Sequence, residues 1–344
     1  MPPARTVLIS LSTLFYCLKT ENYIRRRGSG IAAAIFFGCL AVLNVAPAHE
    51  GPEHDIEELT ERIAKEGDSA DLRVQRAIEY KVLGKLAEAA KDLERALQFD
   101  PRMALAQREL GRTYFALGKT NEALETISRG LKNASEKSDH AALLMARAEV
   151  LGARKEYQKA LDDADEAIRE HPENAEWYLF RGQLHRSLKL KKERVRGLAA
   201  GFKETGSGVL EGEWLEALID NGEHAAALQR IETELRASRL KSTWWIRRAK
   251  VRLASGEKEG AKSDLELAVA ELNRRITANT QDGLLLADRG MAFELLGKKE
   301  EAHKDYDQAR EKGLTEEWLR ERLRSLKDTN DPMGDREKAK DKQN

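Results

Sequence analysis

The residues able to do chemistry are few and dispersed. The 344-residue chain has seven histidines and two cysteines. Both cysteines, Cys17 and Cys39, fall in residues 1–48, so the remainder offers no thiol nucleophile, cysteine metal site or disulfide framework. His140, His171, His185, His224 and His303 stand at unrelated places in the sequence. No H-E-x-x-H, glycine-rich phosphate loop or G-x-S-x-G occurs. Acid pairs such as Asp162-Asp163 and Asp165-Glu166 are expected on solvent faces of helices, because nothing in their spacing isolates a perturbed pair. These readings argue against an enzyme and imply no cofactor.

Two local clusters offer more specific chemistry. If the chain is cut after Ala48, His49 gains a free α-amine, and amine, imidazole and His54 could hold copper or zinc. The competing reading is a polar arm with solvated histidines, since no periodic element supplies a third ligand. Lys189, Lys191, Lys192, Arg194 and Arg196 form a basic cluster. It lacks the interleaved aromatics on which bases stack, so a solvated helix face is the expectation.

The elements that position these residues are set by a repeat. Gly84, Gly118, Lys155, Lys189, Gly222, Gly256 and Gly297 are separated by 34, 37, 34, 33, 34 and 41 residues. Five residues after each stands Ala89, Ala123, Ala160, Ala227, Ala261 or Ala302, with Arg194 the exception. Seven residues before each stands Ala77, Gly111, Ala148, Gly182, Ala249 or Gly290, with Leu215 the exception. Two helices of a hairpin can approach closely only where one lacks a bulky side chain, so the spacing predicts helix–turn–helix units. Apolar residues at helical spacing flank the second turn, among them Leu110, Tyr114 and Phe115 before it and Ala123, Ile127 and Leu131 after it.

This pattern resembles the tetratricopeptide repeat, whose W-x2-L-G-x2-Y, A-x3-F and P positions are met in fragments. Leu110, Gly111, Tyr114, Ala123 and Ile127 carry it in repeat two, and Trp245, Ala249, Ala261, Leu265 and Ala268 in repeat six. The resemblance covers residues 70–314 and departs most around 190–213. It implies an all-α fold: a right-handed α-α superhelix of about seven helix–turn–helix repeats with capping helices. The expected organisation is an export leader over 1–48, then a polar arm and N-terminal capping helix over 49–69. Repeats one to three follow over 70–174 and repeats four to seven over 175–314. A capping helix over 315–328, with Trp318, Leu319, Leu323 and Leu326 buried, and a charged, structureless tail over 329–344 complete it. Gly201, Gly206 and Gly208 suggest a loop or hinge.

The leader is read from Arg25-Arg26-Arg27, an uncharged run from Ile31 to Val45, and Ala46-Pro47-Ala48. Basic flank, short apolar core and A-x-A ending are the parts of a secretory signal. Export, with a periplasmic destination, is therefore expected, and membrane anchoring by residues 31–46 is the alternative. Without residues 1–48 the balance is about four units negative, which gives no general attraction for nucleic acid.

The resemblance implies a non-enzymatic scaffold that binds a protein or peptide along the concave face formed by first helices. Residues projecting there would be Lys81, Arg108, Arg112, Phe115, Met145, Glu149, Gln183 and Arg186. Arg108 and Arg112 share one helix face, and with Lys81 they could fork onto a partner's carboxylates. Phe115 and Met145 would add apolar contact. Where the family's clamp for a C-terminal carboxylate has lysine and asparagine on the first repeat, this chain has Val74 and Ile78. A self-associating spacer in an envelope assembly, and a metal-binding protein using His49, are the alternatives.

Overall fold

The computed structural model describes residues 51–278 and 282–328. The proposed leader, His49 and the charged tail lie outside them. Among the described residues there are sixteen helices and no strand. They divide into two compact units between Leu188 and Lys189. No described helix is long and apolar enough to cross a membrane.

The first unit holds α1 (Pro52–Glu66), α2 (Ala70–Val82), α3 (Leu86–Phe99), α4 (Ala104–Ala116), α5 (Thr120–Asn133), α6 (Lys137–Ala153), α7 (Tyr157–Glu170) and α8 (Ala175–Ser187). Each helix packs on the next, with α2–α3, α4–α5 and α6–α7 the tightest pairs. First helices also touch one another, α2 on α4 and α4 on α6. The capping helix α1 starts at Pro52, so His54 is part of a helix rather than of an arm.

The second unit holds α9 (Lys191–Thr205), α10 (Gly208–Asp220), α11 (His224–Ala237), α12 (Ser242–Ser255), α13 (Lys258–Ala278), α14 (Gly283–Leu295), α15 (Lys299–Glu311) and α16 (Glu317–Asp328). The 41-residue spacing from Gly256 to Gly297 is taken up by α13, which is 21 residues long. The expected irregularity near Gly201 is absent: α9 is continuous through it and stops at Gly206, whose φ of 64° ends the helix. In α16, Leu319, Leu323 and Leu326 are buried, but Trp318 is 38 % exposed and rests edge-on against Tyr306.

Turn chemistry explains the register. The seven turn residues Gly84, Gly118, Lys155, Lys189, Gly222, Gly256 and Gly297 all have left-handed backbone, from 59° at Lys189 to 88° at Gly256. At the second turn, Lys119 N–H donates to Tyr114 O at 2.8 Å and Gly118 N–H to Phe115 O at 2.9 Å. Such doubled bonds to the last free carbonyls require φ > 0 at the turn residue, which is why glycine dominates there.

The small residues do the packing expected of them. Ala77, Ala89, Ala123, Ala148, Ala160, Ala249, Ala261 and Ala302 are fully buried. A methyl on Gly290 would stand 2.8 Å from Tyr306 Cδ1 and 3.3 Å from Ala302 O. The exception Leu215 has a structural consequence: α10 lies mainly against α9 and only lightly against α11. Phe202 and Trp214 stack at 6.0 Å across the α9–α10 contact.

A ladder of half-buried arginines on buried aspartates accompanies the small residues. Arg76, Arg147, Arg248 and Arg289 each precede one and grip the aspartate 16 positions later with Nε and Nη2. The aspartates Asp92, Asp163, Asp264 and Asp305 are all buried. In three rungs Nη1 also reaches back 16 positions, to Thr60 at 2.9 Å, Glu232 at 2.5 Å and Asn273 at 2.7 Å. One guanidinium thereby links three helices. Asp163 is thus a core group, not a solvent-face one.

Candidate functional site

In the first unit the first helices carry a charged cluster centred on Glu109. This carboxylate is on α4 and is covered by its neighbours to 9 % side-chain exposure. Lys81 of α2 forms an ion pair with it. Arg108 donates from Nε at 3.0 Å. Arg112 stands 4.0 Å from Glu109 and spends its bidentate grip on Glu149 of α6, at 3.1 and 2.9 Å. Burial opposes ionisation of Glu109, but Lys81, Arg108 and Arg112 overcome it and hold its pKa at about 2. Burial likewise works against the charge on Arg112, and Glu149 and Glu109 reverse the balance.

The structure therefore brings Lys81, Arg108, Arg112 and Glu149 together, as five charges including Glu109 spread over three helices. It does not leave Lys81 and Arg112 free to fork onto a partner, because Glu109 and Glu149 already occupy them. Glu109 was missed by sequence reasoning, although its i,i+3 spacing to Arg112 was visible. Phe115 is half-buried against the cluster of Ala123, Ile127 and Leu143. Met145 is corrected: it is 2 % exposed and fills the interior, so it offers no contact surface. The extra apolar residues of α6 turn Met145 inward, since Leu143 to Ala146 are all buried. Gln183 and Arg186, on α8, are exposed.

The basic cluster near Lys189 also needs correcting. Arg194 is 3 % exposed and held by Asp220 at 2.6 Å and Glu213 at 3.0 Å. It stands where the other repeats have a small residue, and its ion pairs join α9 to α10.

In the second unit the first helices present a different arrangement. Lys250 pairs with Glu216 at 2.9 Å, and Thr243 Oγ1 donates to Asp288 at 3.5 Å. Arg247 lies over the Trp244 ring at 4.7 Å and makes no ion pair among the described residues. Burial lowers its pKa, an effect countered by Glu211, Glu216 and Asp288. Asp288 is raised by burial, against the pull of Arg275.

Residues 83–148 and 145–193 match family models described as tetratricopeptide repeat. No curated protein matches the chain. Among solved structures it is similar to a tetratricopeptide repeat protein from Parabacteroides merdae, at 19 % identity over 79 % of this chain and 99 % of that one, with a TM-score of 0.48. It is also similar to Pseudomonas aeruginosa pilF, at 18 % identity over 58 % of this chain and 89 % of that one, with a TM-score of 0.46. A third is YrrB, described as a TPR protein with an unusual peptide-binding site, at 16 % identity over 63 % of this chain and 93 % of that one, with a TM-score of 0.37. The two matched segments are tetratricopeptide repeats, and the hairpins outside them share the same left-handed turns and buried small residues.

Proposed function

We propose that this protein is an exported, non-enzymatic scaffold that binds a protein or peptide along the first helices of its repeats. Tetratricopeptide repeats are in general non-catalytic and engage protein or peptide partners, which supports the class. The observation that carries the reading is the Lys81–Glu109–Arg108–Arg112–Glu149 network. It spans α2, α4 and α6 on the side where first helices line up, and its members remain 25–32 % exposed apart from Glu109. Partner charges would meet groups already fixed in place, which lowers the ordering cost of binding.

Within that network Arg108 holds Glu109 through Nε and Nη2, at 3.0 Å each, and would offer its Nη1 to a partner carboxylate. Lys81 and Arg112 keep Glu109 compensated without it, so its removal should leave the fold intact. Arg186 and Gln183 would extend the contact along α8, and Phe115 would supply the apolar part. Affinity purification of partners with wild type and with Arg108→Ala plus Arg186→Ala tests this. Loss of the principal partner at unchanged melting temperature is expected; full retention removes this wall from the account. Export rests on the composition of residues 1–48 and is checked by N-terminal sequencing of the mature chain, where a start at His49 is expected and an intact Met1 contradicts it.

A further inference from the structure

His140, isolated from the other histidines in the sequence, stands beside two carboxylates in the fold. His140 stands in the first turn of α6, and Glu166 and Glu170 are four residues apart on the last turns of α7. One ligand atom of each lies within 4.8 Å of the other two. His140 Nδ1 is already 2.9 Å from Glu170 Oε2. All three residues are half-buried.

A histidine–glutamate hydrogen bond alone accounts for only two of them. Glu166 has no hydrogen bond or ion pair among the described residues, and Arg147, which acts on it only through space, is committed to Asp163. Two carboxylates at i,i+4 repel each other. A divalent cation where the three ligand atoms converge would replace the proton between His140 and Glu170 and offset that repulsion. An ion with bonds of about 2.0–2.2 Å holds its ligand atoms roughly 3–3.5 Å apart, which small rotations of the glutamates would reach. Imidazole with two carboxylates suits zinc and its borderline neighbours better than magnesium or calcium, which prefer all-oxygen shells.

We propose that His140, Glu166 and Glu170 form a binding site for a divalent transition-metal ion, with zinc as the representative. The ion clasps α6 to α7 at the end of the hairpin remote from its turn at Lys155. Three protein ligands leave a coordination position for solvent, so the ion is exchangeable.

The test uses the full chain freed of metal and titrated with Zn²⁺ alone, read by calorimetry and by melting temperature. Wild type is expected to take up one equivalent at this site and to melt higher with zinc. Glu166→Gln keeps the His140–Glu170 hydrogen bond and the shape of the side chain, so its fold should persist while zinc affinity falls at least tenfold. His140→Ala should behave alike, whereas His54→Ala should bind zinc at this site as wild type does. Uptake by Glu166→Gln equal to wild type, absence of uptake, or uptake abolished by His54→Ala instead would each overturn the proposal. Magnesium at equal concentration should leave the melting temperature unchanged; an equal rise contradicts the transition-metal assignment.

Discussion

Glu109 is the residue whose charge state the first-helix wall depends on. Its pKa falls from 4.5 to about 2 in the folded protein, because three cations outweigh its burial. A carboxylate depressed on folding contributes stability above its unfolded pKa, and that contribution fades as pH falls toward the folded value. Acid melting curves should therefore lose stability between pH 4.5 and about 2. Glu109→Gln should cost roughly 3 kcal/mol at neutral pH, since it leaves Lys81 and Arg108 without their carboxylate, and should flatten that acid limb. Denaturant titrations at several pH values read both effects. At the turns, Lys155 adopts φ 64° where its counterparts Gly84 and Gly118 are glycine. Lys155→Gly removes a strained left-handed side chain and is expected to stabilise by up to about 1 kcal/mol in the same assay, the relief being partly offset by glycine's freedom in the unfolded chain.

Hairpins are joined by two devices, close contact at small residues and the arginine ladder. Only the first was legible in the sequence. Alanine and glycine at fixed offsets from the turn are direct signatures of backbone approach. The ladder was also written there, as Arg76/Asp92, Arg147/Asp163, Arg248/Asp264 and Arg289/Asp305, but charged residues read as solvent-facing unless a partner at matching depth is known. The same assumption hid Arg194 and Glu109 and misplaced Asp163. Met145 was misread for the opposite reason: α6 is apolar nearly all round, so its sequence does not say which side faces the wall. The ladder also yields an element-scale test. Asp305→Ala strands Arg289 among buried groups and should cost about 3–5 kcal/mol, while adding Arg289→Met should recover part of it. A double-mutant cycle by thermal melting measures the coupling, and additive losses would show that the rung is not a unit.

Across the molecule, two compact units carry the same hairpin grammar with different first-helix chemistry. The first unit's wall is a closed network of ion pairs, all of them within α2, α4 and α6. The second unit's wall holds Arg247 over Trp244 and a half-buried Asp288 with a raised pKa. Burying charge without full compensation costs stability, so Asp288→Asn is expected to raise the melting temperature at neutral pH. These walls follow from long-range stacking, which brings Arg112 to Glu149 over 37 positions. Periodicity located the helices that meet; the side chains opposing one another across them emerged only with the packing.

The most direct measurement of the scaffold reading is site-specific photocrosslinking in cells. A photoreactive side chain at Gln183 or Arg186 on α8 should capture a partner, and one at the exposed Lys91 of α3, a second helix, should not. Adducts from Lys91 alone, or equally from every position, would contradict binding along the first helices.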